Sequence, residues 1–135
     1  MWRKLVFVSG SFVLAACVQQ PYAVLEGDLP SARAACNQHY PERVGNYLPH
    51  AHCVNAAIER FALPAARYPD LIRMQEEIRL ALSDRVDRRR ISPRTGARRM
   101  SDADRLVAAI ERDRSTGNAA AANRRLASLN AILLE

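Results

Sequence analysis

From Ser31 onward the apolar positions of the chain recur every three or four residues, the spacing of one face of an α-helix. Ser31 is placed to cap a short first helix in which Ala32, Ala35, Cys36 and His39 share a face, with Pro41 and Gly45 ending it. Pro49 suits the first turn of a second helix, whose Ala51, Val54, Ile58 and Phe61 form a stripe that stops near Pro64. Pro69 opens a longer third helix in the same way, with Leu71, Met74, Ile78 and Leu82 in line and Val86 beside them. On its flanks Asp70 and Arg73, Glu76 and Arg79, and Asp84 and Arg88 stand three or four apart, where opposite charges can pair. Ser92-Pro93 repeats the cap-then-proline signal, so a fourth helix begins there or, given Gly96, a turn later at Ser101. Its stripe is Met100, Ala103, Leu106, Val107 and Ile110. Gly117-Asn118 is both a stop and a cap, and a last helix over 119–134 buries Ala122, Leu126, Leu129 and Leu133. No segment alternates as a strand would, and no repeat of 20 to 50 residues is visible. The pattern therefore predicts an all-α bundle of four or five helices over residues 31–135.

The beginning of the chain follows a different rule. Arg3 and Lys4 precede an apolar run over 5–16 broken only by Ser9-Gly10-Ser11, which is the layout of a secretory signal peptide. The run is too short to span a bilayer, which needs roughly 20 apolar residues. Small residues Ala15 and Ala16 stand at the cleavage position, and a cysteine follows them. Leu14-Ala15-Ala16-Cys17 resembles the lipobox of bacterial lipoproteins, Leu-(Ala/Ser)-(Gly/Ala)-Cys. The resemblance covers residues 1–17 and implies that 1–16 are removed and that Cys17 becomes a triacylated N-terminus. In such families an Asp after the cysteine favours the inner membrane. Val18 stands here, so the expected address is the inner leaflet of the outer membrane, facing the periplasm. Each buried methylene contributes about 0.8 kcal/mol and stable anchoring takes two chains or more, so acylated Cys17 would hold the protein without a transmembrane helix. Residues 17–30 carry Gln19-Gln20-Pro21, Gly27-Asp28 and Pro30 without periodicity and read as a flexible lipidated tether. Its thirteen residues after Cys17 reach at most about 45 Å, at 3.3–3.6 Å each.

Composition narrows the function more than it defines it. Cleavage after Ala16 leaves 119 residues, one domain with a modest core, and removes Arg3 and Lys4. Eighteen arginines and no lysine then face fourteen acids, a net charge of +4. Without a lysine the mature chain lacks the group by which some small envelope lipoproteins are joined to peptidoglycan. The arginines are mostly interleaved with acids, a solvated pattern. The exception is Arg88, Arg89, Arg90, Arg94, Arg98 and Arg99, six in twelve residues around the turn between the third and fourth helices. In the periplasm nucleic acid is not an expected partner. Lipid phosphates or an acidic protein surface suit guanidinium forks, although Asp84, Asp87, Asp102 and Asp104 lie close enough to offset part of the charge.

With Cys17 acylated, Cys36 and Cys53 are an even pair in an oxidising compartment. A disulfide between them would staple the first helix to the second. The competing arrangement is a metal site, because Cys36, His39, His52 and Cys53 are ligand types for zinc or copper. Cys36 and His39 share a helical face, whereas His50 and His52 would not if both were helical, and Pro49 leaves room for one of them in the turn. Catalysis finds little support. There is no glycine-rich phosphate loop, nucleophile elbow or His-Glu-x-x-His motif, and His50, His52 and Glu59 make only the kind of acid–base set that any helix carries.

These observations lead to a non-catalytic envelope lipoprotein without a cofactor, acting as an accessory or assembly subunit that binds a protein partner near the outer membrane. A tether followed by a small disulfide-bonded helical bundle is similar in plan to some secretin pilotins, a likeness of architecture and not of motif. Metal binding through the Cys/His cluster is the alternative, and an inhibitor or exclusion lipoprotein a second one. An exposed apolar groove would favour the first, and reduced cysteines converging with histidines the metal reading.

Overall fold

The computed structural model describes residues 27–135; the expected leader, Cys17 and the expected tether as far as residue 26 lie outside the described residues. Five α-helices follow in order, α1 (Leu29–His39), α2 (Tyr47–Phe61), α3 (Pro69–Asp87), α4 (Pro93–Ser115) and α5 (Ala119–Leu134), with one 3-10 turn at Leu63–Ala65. Among the described residues there is no strand, and no helix is long and apolar enough to cross a membrane. The all-α bundle is thus the observed architecture, with the disulfide in place.

Local chemistry explains where the helices begin and end. Asp28, not Ser31, caps α1: its carboxylate accepts from the Ser31 backbone N–H at 2.9 Å, and the Ser31 side chain, then this backbone bond, hold the Asp28 carboxyl below its usual value. Pro30 consequently falls inside the first turn, where its missing N–H costs nothing. Ser92 caps α4, its Oγ accepting from the Thr95 N–H at 3.1 Å, and Asn118 caps α5 through the Ala121 N–H at 3.2 Å. The helix runs straight through Gly96 because that residue is a packing feature and not a break. A Cβ there would lie 2.8 Å from Val86 Cγ2, so only glycine lets α4 approach α3 this closely.

Two helix ends use the same device with different residues. After α4 the Gly117 N–H bonds to the Arg114 carbonyl and the Asn118 N–H to the Asp113 carbonyl, with Gly117 left-handed at φ 75°. After α3 the Arg89 N–H bonds to Val86 O and the Arg90 N–H to Arg85 O, and Arg89 takes the left-handed conformation at φ 57°. A side chain there costs about 1–2 kcal/mol, partly offset by the lower unfolded-state entropy of a non-glycine residue. We expect Arg89→Gly to stabilise the domain by about 0.5–1 kcal/mol, read as a higher urea midpoint at unchanged m value.

The main core lies between α3, α4 and α5. Leu71, Ile78 and Leu82 from α3, Ala103, Val107 and Ile110 from α4, and Ala122 and Leu129 from α5 are buried together. Met74, Met100, Leu106, Leu126 and Leu133 close its edges. The α1–α2 hairpin adds a smaller core of Cys36, Cys53, Val54 and Ile58, which joins α3 at Ile72. Ala32 meets Ala57 across the hairpin, and such small side chains leave little apolar area to hold α1. Cys36 and Cys53 are disulfide-bonded, Cα to Cα 5.8 Å, which compensates for that thin interface.

Charged residues tie the helices together across the fold more than along them. Of the three pairs expected on α3, Asp84 and Arg88 are joined at 2.8 Å. Asp70 instead reaches Arg114 of α4 at 2.8 Å, beneath a guanidinium that also covers the Tyr68 ring. Arg79 turns away from Glu76 to Asn55 of α2. At the end of α3 two side chains act on other helices. Arg85 donates to the carbonyls of Ile132 and Leu133, capping α5, and Asp87 accepts from α2 as described below. At about 100° per residue, positions 85 and 87 point to opposite sides of α3, which is how one helix end serves two neighbours.

Candidate functional site

The α1–α2 hairpin does not lie flat on the main core. It leans on α3, leaving a groove against α3 and α4 that is open to solvent and divided into two chambers. The first, about 360 Å³, is floored by Leu82, Val86, Pro93 and Met100 and rimmed by Glu42, Tyr47, Ser83 and Arg94. The second, about 520 Å³, is floored by Val54, Ile58, Ala62 and Ile72 and rimmed by Arg33, Asn37, His50, Gln75 and Asp104. Arg79 and Met100 line both chambers and form the sill between them.

The wall of the first chamber is positioned by Asp87. Its Oδ1 accepts from the Gly45 N–H at 2.6 Å and the Tyr47 N–H at 3.2 Å, and its Oδ2 from the Leu48 N–H at 2.8 Å. These are the free donors at the start of α2, where Asn46 makes no side-chain cap. The carboxylate of α3 therefore replaces the missing local cap and sits at the positive end of the α2 dipole. Tyr47 faces the chamber. Burial, helped by the nearby charges of Glu42 and Asp87, raises its phenol pKa, so it stays a hydrogen-bond donor at neutral pH.

In the second chamber His50 Nε2–H donates to Asn37 Oδ1 at 2.7 Å, a bond that ties α2 to α1 at the rim. Burial lowers the His50 pKa, opposed by Glu42 and assisted by Arg79, so the ring is neutral at pH 7. Gln75 donates to Asp104 at 3.0 Å across α3 and α4. Below the rim is a polar layer: Asn55, buried, donates its amide to the Glu76 carbonyl at 3.1 Å and accepts from Arg79. The Glu76 side chain is itself buried, and its Oε1 has no hydrogen-bond partner among the described residues.

That carboxyl gives a pH dependence with a definite sign. Burial, then the charge of Glu59, raises the Glu76 pKa above its usual value, against the opposing pull of Arg79 and Arg73. The folded protein thus holds this proton more tightly than the unfolded chain does. Its contribution favours folding most below the unfolded carboxylate pKa and is lost as pH rises through the folded one. Glu76→Gln is expected to melt higher than the parent at pH 8 and to close that gap at pH 4, as followed by thermal melts across pH.

The metal arrangement weighed for Cys36, His39, His52 and Cys53 is not assembled. The two sulfurs are bonded to each other, and His39 and His52 are exposed, His39 stacking edge-on against Tyr40. Among the described residues no three His, Cys, Asp or Glu side chains converge as a metal site. The cause is the helix register. Cys36 and Cys53 face each other across the hairpin, whereas His52, one residue from Cys53, turns about 100° away.

The arginines gather at one end of the bundle. Arg88 pairs with Asp84, and Arg99 with Glu135 at 3.4 Å; Arg89, Arg90, Arg94 and Arg98 are exposed without an ion-pair partner among the described residues. This end also carries the end of α3, the start of α4 and, through the Asp87 cap, the start of α2. Leu29, where the chain enters α1, packs instead against the Ala32–Ala57 cluster, in the second half of α2, where Phe61 packs too. The arginines and the point where the chain enters therefore lie at opposite ends of α2 and α3, and the nineteen residues of α3 span about 28 Å. Arg94 belongs both to this end and to the rim of the first chamber, so that chamber opens toward the basic end.

Arg79 is the residue the sequence reading missed, because its spacing to Glu76 suggested an ordinary surface pair. The signal was present in Asn55, a polar residue inside the apolar stripe of α2, which requires a buried partner. No family model, curated protein or solved structure matches the chain.

Proposed function

We propose that this chain is a non-catalytic lipoprotein of the bacterial envelope, anchored through Cys17 to the periplasmic face of the outer membrane, whose helical domain binds a protein partner in the two-chamber groove. The observation that carries the reading is the groove itself: apolar floors on both sides of a basic sill, walled by a hairpin that a disulfide holds in place. Concave apolar surface rimmed by polar groups is what a helix or extended segment of a partner occupies. The position of the arginines supports the same reading. The chain enters α1 at the other end of α2 from the arginines, so the basic end, onto which the first chamber opens, is left free for a partner. The accessory or assembly role follows from an anchor, a single small domain and an open groove.

The test is a photo-crosslinking residue placed in the producing cell at Ala97, on the rim of the first chamber, or at Asn130, exposed on α5. A discrete protein adduct from position 97, absent from position 130 and found in the outer-membrane fraction, is expected. Cys17→Ala should move the protein out of that fraction. Crosslinks to no protein from any groove position would overturn the partner reading, and an unprocessed, unacylated mass would overturn the anchor.

A further inference from the structure

Arg79 is half-buried at the sill between two apolar chambers, yet no carboxylate lies within 4 Å of its guanidinium among the described residues. Its one side-chain bond is to the neutral amide oxygen of Asn55. That leaves most of its five donors unused at a place where water is partly excluded. Asp104 and Glu76 are near enough to act on it electrostatically, but Asp104 is held by Gln75 and Glu76 is buried beneath. Removing a guanidinium from bulk water without a counter-ion is unfavourable, and burial pulls its pKa down accordingly. An anion resting on the sill would supply the close counter-ion that this guanidinium lacks.

The two chambers say what kind of anion. One apolar floor, Leu82, Val86 and Met100, lies on one side of Arg79, and the other, Val54, Ile58 and Ile72, on the other side. A fatty acid or detergent carries its charge at one end and would fill a single chamber. An occupant that uses both needs its carboxylate in the middle. We infer that the groove receives a segment of the partner protein in which an Asp or Glu is flanked on both sides by large apolar side chains, the carboxylate resting on Arg79 and the apolar groups filling the two chambers. At the outer rims Arg94 stands with Glu42 and Arg33 with Asp104, so the rims are mixed in charge and the preference for a carboxylate comes from Arg79 at the centre. This inference rests on the partner-binding reading and adds the chemistry of the segment. A buried ion pair of this kind sets orientation and register as well as affinity.

The experiment extends the crosslinking design with the full chain in its own cell. A benzophenone amino acid is placed at Ala97 for the first chamber and at Asn37 for the second, and the crosslinked peptide is sequenced by mass spectrometry. Both positions are expected to capture one and the same segment, with an Asp or Glu between apolar residues. Replacing that acid by its amide should reduce both crosslinks at least tenfold, as should Arg79→Gln, which retains an amide donor for Asn55. Circular dichroism and an oxidised mass for Arg79→Gln exclude unfolding as the cause, and the sequenced segment judges the inference even if that variant does not fold. A captured segment without a carboxylate, a lipid adduct, or crosslinks indifferent to both substitutions would overturn the inference while leaving the partner reading standing. Absence of any protein adduct would overturn both.

Discussion

Reduction of the Cys36–Cys53 disulfide is expected to cost the domain about 3 kcal/mol, the value of the chain-entropy relation for a loop closed over a sequence separation of 17. For a domain of this size that is a fall in melting temperature of roughly 12–15 °C. The same loss is expected for the double variant Cys36→Ala/Cys53→Ala, which avoids burying two hydroxyls where both cysteines are almost fully enclosed. The effect should not be spread evenly. α1 packs chiefly on α2, through Leu29, Ala32 and Cys36, so little apolar burial remains to hold it once the covalent link is gone. Hydrogen exchange on the reduced protein should therefore show α1 amides exposed well before those of α3 and α4. Since α1 supplies Arg33 and Asn37 to the second chamber, the proposed binding of a partner there should weaken with it. A melting temperature unmoved by reductant would sink this account of what holds the hairpin.

The second large effect concerns a single carboxylate. Asp87→Ala leaves the N–H groups of Gly45, Tyr47 and Leu48 without their acceptor at the start of α2. Losing an N-cap costs about 0.5–2 kcal/mol, and stranding partly buried donors about 1–3 kcal/mol, so about 2–3 kcal/mol in total is expected. Asp87→Asn separates the contributions. Its one oxygen can still accept from Gly45 and Tyr47, while the amide end faces the Leu48 N–H, so about half the loss should remain. Denaturant titrations of the two variants check the ranking. Equal stability of Asp87→Ala and the parent would mean that water satisfies these donors and that the cap contributes nothing. Because Asp87 also sets where Tyr47 stands, both variants should disturb the first chamber before the second.

Five helices, their order and most of their buried faces were legible in the residues because a helix is a local object. Leu71, Ile78 and Leu82, or Ala103, Val107 and Ile110, announce a buried stripe through spacing alone, and all six are in the core. The cap at Asn118 was equally plain, and that at Ser92 was one of two starts the residues allowed, Gly96 leaving Ser101 as the other, since the side chain that caps is three residues from the N–H it satisfies. Asp28 is less legible as a cap than Ser31 because Pro30 between them resembles the end of a tether, although proline is at home in a first turn. The groove was not legible. Its two floors come from three helices, and its sill from a residue whose nearest acid in sequence is not its partner.

The residues by themselves determined what depends on neighbours along the chain: the helical periods, the turns, the pairing of Cys36 with Cys53 as one of two open arrangements, and the likeness of residues 1–17 to a lipoprotein leader. The tertiary structure decided what depends on side chains far apart in sequence meeting in space. It joined Cys36 to Cys53, turned His39 and His52 outward, set Asp87 on the start of α2 and Arg85 on the end of α5, and left Arg79 uncovered between two apolar chambers. Spacing along a helix fixes which side a residue faces relative to its own neighbours. Which helix lies on that side, and so whether a charge finds a counter-ion, a free N–H or an open groove, is set only when the helices pack.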